Sequence, residues 1–122
     1  MSTRGVVTEF ARQFYDDRDV VGAFNRYVVP DYIQHNPGIA DGRDAAIAAL
    51  AGTWGSSDLR LTVRSILVDG DTAVLLIDGQ FGADVRFGVI DVYRVEDDMI
   101  VEHWDVKQEF PSDIVGERPF FS

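Results

Sequence analysis

The chain has 122 residues, no cysteine and a formal net charge of -10 at pH 7, which fits a single domain spanning residues 1–122. The negative charge argues against nucleic acid or an anionic membrane as a partner, because both require clustered Lys and Arg. Without cysteine there are no disulfides, Cys-based metal sites or thiol nucleophiles. Two His exclude a His-rich metal site, while a site of His and carboxylates stays open, although we select no metal ligands.

The N-terminal part predicts two short helices. Its first residues carry no long apolar run, so we expect no membrane span, no signal peptide and a cytoplasmic location. Apolar residues recur with helical spacing up to Tyr15, and again between Asp19, which can cap a second helix, and Pro30, before which that helix must stop. The two apolar stripes are Val7, Phe10, Ala11 and Phe14, then Val20, Ala23, Phe24 and Tyr27.

Residues 31–38 predict a short edge strand that runs into a loop. Pro37-Gly38 is a strong turn signal, and His35 lies at the end of the strand. Asp41 or Asp44 can then cap a third helix, which we expect to close at Gly55. Its apolar residues are Ile47, Leu50, Ala51 and Trp54.

From residue 58 onward the apolar pattern changes to that of β-structure. Gly79 and Gly82 indicate a bulge or bend, and the short connections favour antiparallel neighbours. The predicted strands are Leu59–Val68, Thr72–Ile77 with an extension to Phe81 left open, Val85–Val95 and Ile100–Gln108.

Helices followed by strands indicate an α+β fold, with the helices packed on one face of a strongly curved, mainly antiparallel sheet. Such a sheet forms a cone whose wide mouth provides a pocket. Val, Leu and Ile occupy both faces of residues 72–77, which indicates burial on both sides and a homodimer through the sheet. Residues 110–122 form a C-terminal tail that packs on its own domain, serves as a lid or contacts a second subunit.

The last strand carries the main candidates for chemistry. Alternation places His103 and Asp105 on one face of this strand, with Trp104 on the other. A buried Asp can act as a general acid or base, and a nearby His can share or orient its proton. We therefore select His35 and Asp105 as candidate catalytic residues. The simpler interpretation is that His35 bonds loop carbonyls while Asp105 caps a turn or pairs with Arg.

Four further residues are candidates for lining the pocket and binding a substrate. Asp91 interrupts an apolar strand, so it either faces the pocket or pairs across strands. His103 either orients Asp105 or is a partly exposed strand residue. Tyr15 and Trp54 end helical stripes, where side chains line the mouth of a cone or belong to the core. No phosphate loop, dinucleotide fingerprint or nucleophile elbow is present.

Several motifs together resemble the SnoaL-like polyketide cyclases of the nuclear-transport-factor-two-like superfamily, over roughly residues 6–108. The motifs are Tyr32-Ile-Gln-His-Asn-Pro37, Gly42-Arg43, Ile90-Asp-Val-Tyr-Arg-Val95 and Ile100-Val-Glu-His-Trp-Asp-Val106. The resemblance implies a cone-shaped α+β barrel with a deep apolar cavity, usually dimeric, that catalyses aldol closure without metal or organic cofactor. By motif position, Asp105 is the acid–base residue and His35 its neighbour across the cavity.

Two functional hypotheses follow. The first is a cofactor-independent acid–base enzyme that cyclises or isomerises a small apolar, polyketide-like carbonyl compound. The second is a non-catalytic module of the same fold that binds an apolar small molecule or dimerises, since fold alone does not fix function. His35 and Asp105 pointing into one cavity favours the enzyme, and their facing solvent on opposite sides favours the module.

Overall fold

The computed structural model describes residues 1–54, 58–111, 113, 115, 116, 118, 120 and 121. They form three α-helices, a π-helical turn and a five-stranded sheet, which confirms the predicted α+β class. The helices are α1 (Thr3–Ala11), α2 (Val20–Tyr27) and α3 (Arg43–Trp54). The strands are β1 (Val28–Gln34), β2 (Leu59–Asp69), β3 (Thr72–Phe81), β4 (Val85–Glu96) and β5 (Met99–Glu109).

The sheet has the strand order β1-β5-β4-β3-β2 and remains open, with β1 and β2 at its edges. Strands β2 to β5 pair antiparallel, as predicted, while β1 pairs parallel with β5. This parallel pair is the consequence of a long crossover, because α3 and three strands separate β1 from β5 in sequence. Helix α1 contacts β2, β3, β4 and β5, so the helices cover one face, called here the inner face.

The region of the first two helices differs from the prediction in two ways: α1 is followed by a π-helical turn, and β1 begins earlier than expected. After α1 the chain widens into a π-helical turn, Arg12–Asp16, which the apolar spacing did not predict. Asp19 caps α2 as expected, since its carboxylate accepts the N–H of Gly22 at 3.0 Å. Strand β1 begins directly after α2 and contains Pro30. An edge strand tolerates proline, because the missing N–H would face solvent and takes part in no hydrogen bond to a neighbouring strand.

Neither of the two predicted aspartate caps of α3 holds. Gly42, with φ of +102°, precedes α3, and its carbonyl accepts the N–H of Ala46 at 3.2 Å. Asp41 instead accepts the N–H of Gln34 at 2.8 Å, and Asp44 lies inside the first turn. The predicted closure at Gly55 lies outside the described residues.

The four predicted strands after residue 58 are confirmed, with small extensions. Gly82 has φ of +62° and makes the expected turn between β3 and β4. Gly79 is not a bulge: it pairs regularly with Phe87, and a Cβ there would collide with the Phe87 ring. The irregularities lie elsewhere: β2 has an extra residue between Val63 and Ser65, β5 has one between Ile100 and Glu102, and the β1–β5 pairing shifts between Val28 and Ile33.

The outer face of the sheet is only half covered. In β3 the inward residues are buried, whereas Val74 and Leu76 on the outer face are partly exposed. The described part of the C-terminal tail packs on this face of its own domain: the Phe120 ring lies against Phe110, 4.3 Å between centroids, and over Gly88. Within the described part of the chain, no helix is long and apolar enough to cross a membrane.

Candidate active site

A cavity of about 130 Å³ lies between the helices, the end of β1 and the inner face of the sheet. Its apolar wall consists of Phe14, Phe24, Ile39, Leu50, Leu61 and Val89. Its polar lining consists of Tyr15, Tyr32, Gln34, Asn36, Asp91, Tyr93, His103 and Asp105. A larger groove of about 720 Å³ runs beside the C-terminal tail. The interacting groups Asp91, His103 and Asp105 line the smaller cavity instead.

Strand register brings two carboxylates together. Asp91 on β4 lies directly opposite Asp105 on β5, and Tyr93 lies opposite His103. Two like charges at opposed positions on one face destabilise a sheet, so groups that offset them must lie close by. His103 and Asp105 both line the cavity, which agrees with the predicted alternation, and Asp91 both faces the cavity and pairs across strands.

The imidazole of His103 lies between these carboxylates. Its Nε2 is 2.8 Å from Oδ1 of Asp91 and 3.9 Å from Oδ2 of Asp105, and its Nδ1 is 2.8 Å from Oε1 of Gln34. The N–H of Asn36 also donates to this Gln34 oxygen, which fixes the amide orientation. Because Gln34 Oε1 only accepts, Nδ1 donates to it, and Nε2 faces the carboxyl group of Asp91.

Tyrosines surround this pair and keep its surroundings dry. The Tyr15 hydroxyl donates to Asp91 and lies 2.7 Å from the Tyr93 hydroxyl. The rings of Tyr32 and Tyr93 stack on either side of the imidazole, at 6.3 and 4.8 Å between centroids. Burial, with the charge of Asp91 as the next cause, raises the pKa of Tyr15, Tyr32 and Tyr93 above the usual range. These hydroxyls therefore remain protonated donors.

Asp105 is held at the edge of the cavity by one amide. Nδ2 of Asn36 donates to its two oxygens at 2.8 and 3.2 Å. The Asn36 orientation is fixed in turn, because its Oδ1 accepts the N–H of Gly38 at 2.8 Å in a tight turn. The Asp105 side chain remains 22% exposed, so it can reach both the cavity and a bound molecule.

The structure corrects the predicted position of His35. Its ring lies on the outer face, stacked on Trp104 at 4.8 Å, and its Nε2 is 2.7 Å from Oε2 of Glu102. The cavity neighbour of Asp105 from this loop is Asn36 instead. The two residues are adjacent in an extended segment, so their side chains point to opposite faces. A catalytic role for His35 finds no support in this geometry.

The predicted substrate-binding residues divide into two groups. Tyr15, Asp91 and His103 line the cavity together. Trp54 does not line it: the indole is 2% exposed, donates to the carbonyl of Phe14 at 2.7 Å and belongs to the core beneath α3. Tyr15 also ends an apolar stripe and lines the cavity, so this position alone does not separate a core residue from a cavity residue.

Among the described residues, the three side chains of Asp91, His103 and Asp105 are a set that could hold a metal ion, with ligand atoms within 4.8 Å of one another. Two of these ligand atoms are already joined by the 2.8 Å contact between His103 and Asp91. A cation bound by this set would have to replace that contact, because His and Asp bind a metal in their deprotonated forms.

Four polar lining residues were not selected from the sequence. They are Tyr32, Gln34, Asn36 and Tyr93. Gln34 and Asn36 flank His35 in the sequence motif and share the face opposite to it, so the choice of His35 selected the wrong side of the strand. Tyr93 shares strand parity with Asp91, and that alternation was a usable signal.

Comparison with known proteins identifies the family. A family model described as the SnoaL-like domain matches residues 7–103. The chain belongs to the SnoaL-like domain family. The cavity residues from Tyr15 to His103 lie inside the matched region of this SnoaL-like domain, and Asp105 follows it by two positions. No curated protein matches the chain.

Solved structures show the same fold. TsrD from Streptomyces laurentii is 26% identical, with a TM-score of 0.66 over 85% of this chain and 89% of that one. A protein from Kribbella flavida, provisionally named a ketosteroid isomerase, is 20% identical, with a TM-score of 0.73 over 95% and 87%. IdmH from Streptomyces antibioticus, provisionally a polyketide cyclase, is 17% identical, with a TM-score of 0.69 over 88% and 92%.

Proposed function

We propose that this SnoaL-like domain is a cofactor-independent acid–base enzyme acting on a small, enolisable carbonyl compound bound in the cavity. The observation that carries the proposal is the pair of carboxylates, Asp91 and Asp105, facing one imidazole inside a cavity that is also lined by aromatic and aliphatic side chains. Such an arrangement is costly to bury and is typical of sites that transfer protons. The provisional names of the neighbouring structures, polyketide cyclase and ketosteroid isomerase, support this class of chemistry.

In the proposed reaction Asp105 is the base. Its carboxylate takes a proton from the carbon next to the substrate carbonyl, and the electron pair of the broken C–H bond forms an enolate. We assign the stabilisation of the enolate oxygen by hydrogen bonding to the imidazole of His103, whose Nε2 lies 3.9 Å from Oδ2 of Asp105. The enolate then either attacks a second carbonyl, and the alkoxide that forms takes the proton from Asp105, as in aldol cyclisation, or it takes that proton back from Asp105 at another carbon, as in isomerisation.

Cavity size restricts the substrate. A cavity of about 150 Å³ in another protein binds benzene, so the cavity of about 130 Å³ in this chain is close to the size that holds one ring or a short chain. Ligand sites for drug-sized molecules measure roughly 300–1,000 Å³, and a polycyclic substrate would therefore need the cavity to open. The substrate class that fits is a single-ring or short-chain ketone.

The alternative, a binding module without catalysis, is supported by the location of His35 on the outer face. Against it stands the number of polar groups that converge in so small a cavity. An apolar ligand needs few of them, and a buried charged pair contributes little to stability by itself. The cavity geometry around Asp105 therefore favours the enzyme.

The test measures proton removal directly and needs no knowledge of the natural substrate. Cyclohexanone and cyclopentanone are incubated in D2O with the wild type and with Asp105→Asn, and loss of the α-proton signal is followed by NMR. We expect exchange above the buffer rate in the wild type and a decrease of at least about a hundredfold in the variant. Asp69→Asn, an exposed carboxylate on β2, is the matched control and should behave as wild type. Equal exchange in wild type and Asp105→Asn would refute the mechanism.

We further propose a homodimer through the outer face of the sheet. Leu67 and Val106 on this face are 53% and 65% exposed, and Val74 and Leu76 are only half covered. Exposed apolar area of this kind marks an interaction surface. Light scattering after size exclusion should give twice the mass of 13.6 kDa, and Val106→Glu should give the monomer mass. A wild-type monomer at all concentrations would contradict this assembly.

A further inference from the structure

Two sequence motifs lie side by side at the end of the parallel β1–β5 pair, where Gln34 is in register with His103. On the inner face Gln34 bonds His103, and Asn36 bonds Asp105. The residue between the two inner contacts, His35, points to the outer face. The proposed reaction does not use it, although its contacts are as specific as the inner ones.

The outer contacts of His35 fix its ring in two directions. The ring is stacked on Trp104 with 7° between the planes, and its Nε2 is 2.7 Å from Glu102. Glu102 is itself held, because its other oxygen accepts Nε of Arg94 at 2.9 Å. The backbone N–H of His35 donates to the carbonyl of His103 at 3.0 Å, which adds a third attachment to β5.

These attachments bear on the cavity because His35 and Asn36 share one peptide unit. A peptide unit is planar, so once His35 is fixed only the ψ of His35 and the φ of Asn36 can change the direction of Asn36. Asn36 must point inward with its N–H on Gln34 and its Nδ2 on Asp105, and both contacts depend on that direction. Asn36 is followed by Pro37 and a turn, so the backbone pairing of β1 with β5 ends here. The direction of Asn36 therefore depends on the contacts of its neighbours in the loop.

We propose that His35 is a positioning residue. From the outer face, its stack on Trp104 and its hydrogen bond to Glu102 hold Asn36 on the carboxylate of Asp105. The proposal rests on the proposed function in taking Asp105 as the base. Because His35 does not line the cavity, its loss lowers the rate of proton removal without a matching loss of substrate affinity. A misplaced catalytic group typically lowers the rate by about tenfold to a hundredfold.

The first test needs no turnover. The side-chain amide signals of Asn36 are assigned by 15N NMR as those that change in Asp105→Asn. In His35→Ala we expect them to move towards solvent-exposed values, with amide hydrogen exchange at least about tenfold faster. His35→Phe keeps the stack on Trp104 and His35→Gln can keep a bond to Glu102, so each should give an intermediate effect. Asp69→Asn is again the control.

The second test is the kcat and KM of α-proton exchange in the same variants. The proposal predicts kcat lowered by about tenfold or more in His35→Ala, KM within about twofold, and partial recovery in His35→Phe. Unchanged Asn36 signals in His35→Ala would overturn the proposal, as would altered signals with unchanged kcat. If the wild type shows no exchange while the Asn36 signals still respond to His35→Ala, the proposed function fails and the structural coupling holds.

Discussion

Replacing Asp91 by Asn tests whether the buried network is formed as described. Asp91 is 7% exposed, accepts a hydrogen bond from the Tyr15 hydroxyl and lies 2.8 Å from Nε2 of His103. The substitution preserves the shape of the side chain and removes its charge. The new amide group also places a donor opposite a donor, so the Tyr15 hydroxyl has to turn towards Tyr93.

The expected loss follows from these contacts. Each hydrogen bond to a charged group contributes about 1.5–3 kcal/mol, and the neutral Asn retains part of each bond. Removing one member of a buried ion pair costs about 3–5 kcal/mol in other proteins. We therefore expect Asp91→Asn to lower the free energy of unfolding by about 3 kcal/mol. With an unfolding entropy of about 0.26 kcal/mol/K for 122 residues, Tm falls by about 12 °C.

Differential scanning calorimetry measures this change, and urea unfolding with an unchanged m-value confirms that both proteins unfold in the same way. Asp69→Asn, which removes an exposed carboxylate, should shift Tm by no more than about 2 °C. A decrease below about 4 °C in Asp91→Asn would show that Asp91 is not the centre of a buried hydrogen-bonded network, and the account of the cavity would fail with it.

Two further predictions concern pH. Tyr15, Tyr32 and Tyr93 have pKa values raised by burial, so they favour folding below the ordinary value of 10 and this contribution is lost as pH rises above it. Absorbance at 295 nm should show their ionisation only together with unfolding by circular dichroism; ionisation in the folded protein would contradict this. The hydrogen bond from His35 lowers the pKa of Glu102, which therefore stabilises the fold above its ordinary value of 4.5 and ceases to do so as pH falls. Glu102→Gln should lose less stability than wild type between pH 6 and pH 3 in urea titrations, and equal losses would refute the pairing.

The sequence predicts most of the fold because its signals are local. Helical spacing, the cap at Asp19 and the alternation after residue 58 determine the helices and antiparallel strands. The π-helical turn at Arg12–Asp16 has no such signal, since one extra residue in a turn hardly alters the apolar spacing. Position 79 also cannot be interpreted from local sequence. It requires glycine because a Cβ there would collide with the ring of Phe87 on the neighbouring strand.

The sequence predicts residues of the candidate site on strands where the alternation of side chains between the two faces is clear. Parity on β5 selects His103 and Asp105 together, because ten of its residues pair in the antiparallel ladder with β4. β1 is short and begins at a helix end, so its register with β5 could not be deduced from pattern. This is why His35 was selected and Asn36, its neighbour on the correct face, was not. The contact between Asn36 and Asp105 spans 69 positions and exists only through the parallel pair.

We expect a small molecule to enter the cavity and contact Asp105. This can be measured by 13C NMR of the Asp side-chain carboxyls while cyclohexanone or phenol is added at millimolar concentration. The Asp105 carboxyl signal should shift in a saturable manner with at least one of the two compounds, while the signal of the exposed Asp69 should not shift. Signals of Asp105 and Asp91 that respond to neither compound would contradict it.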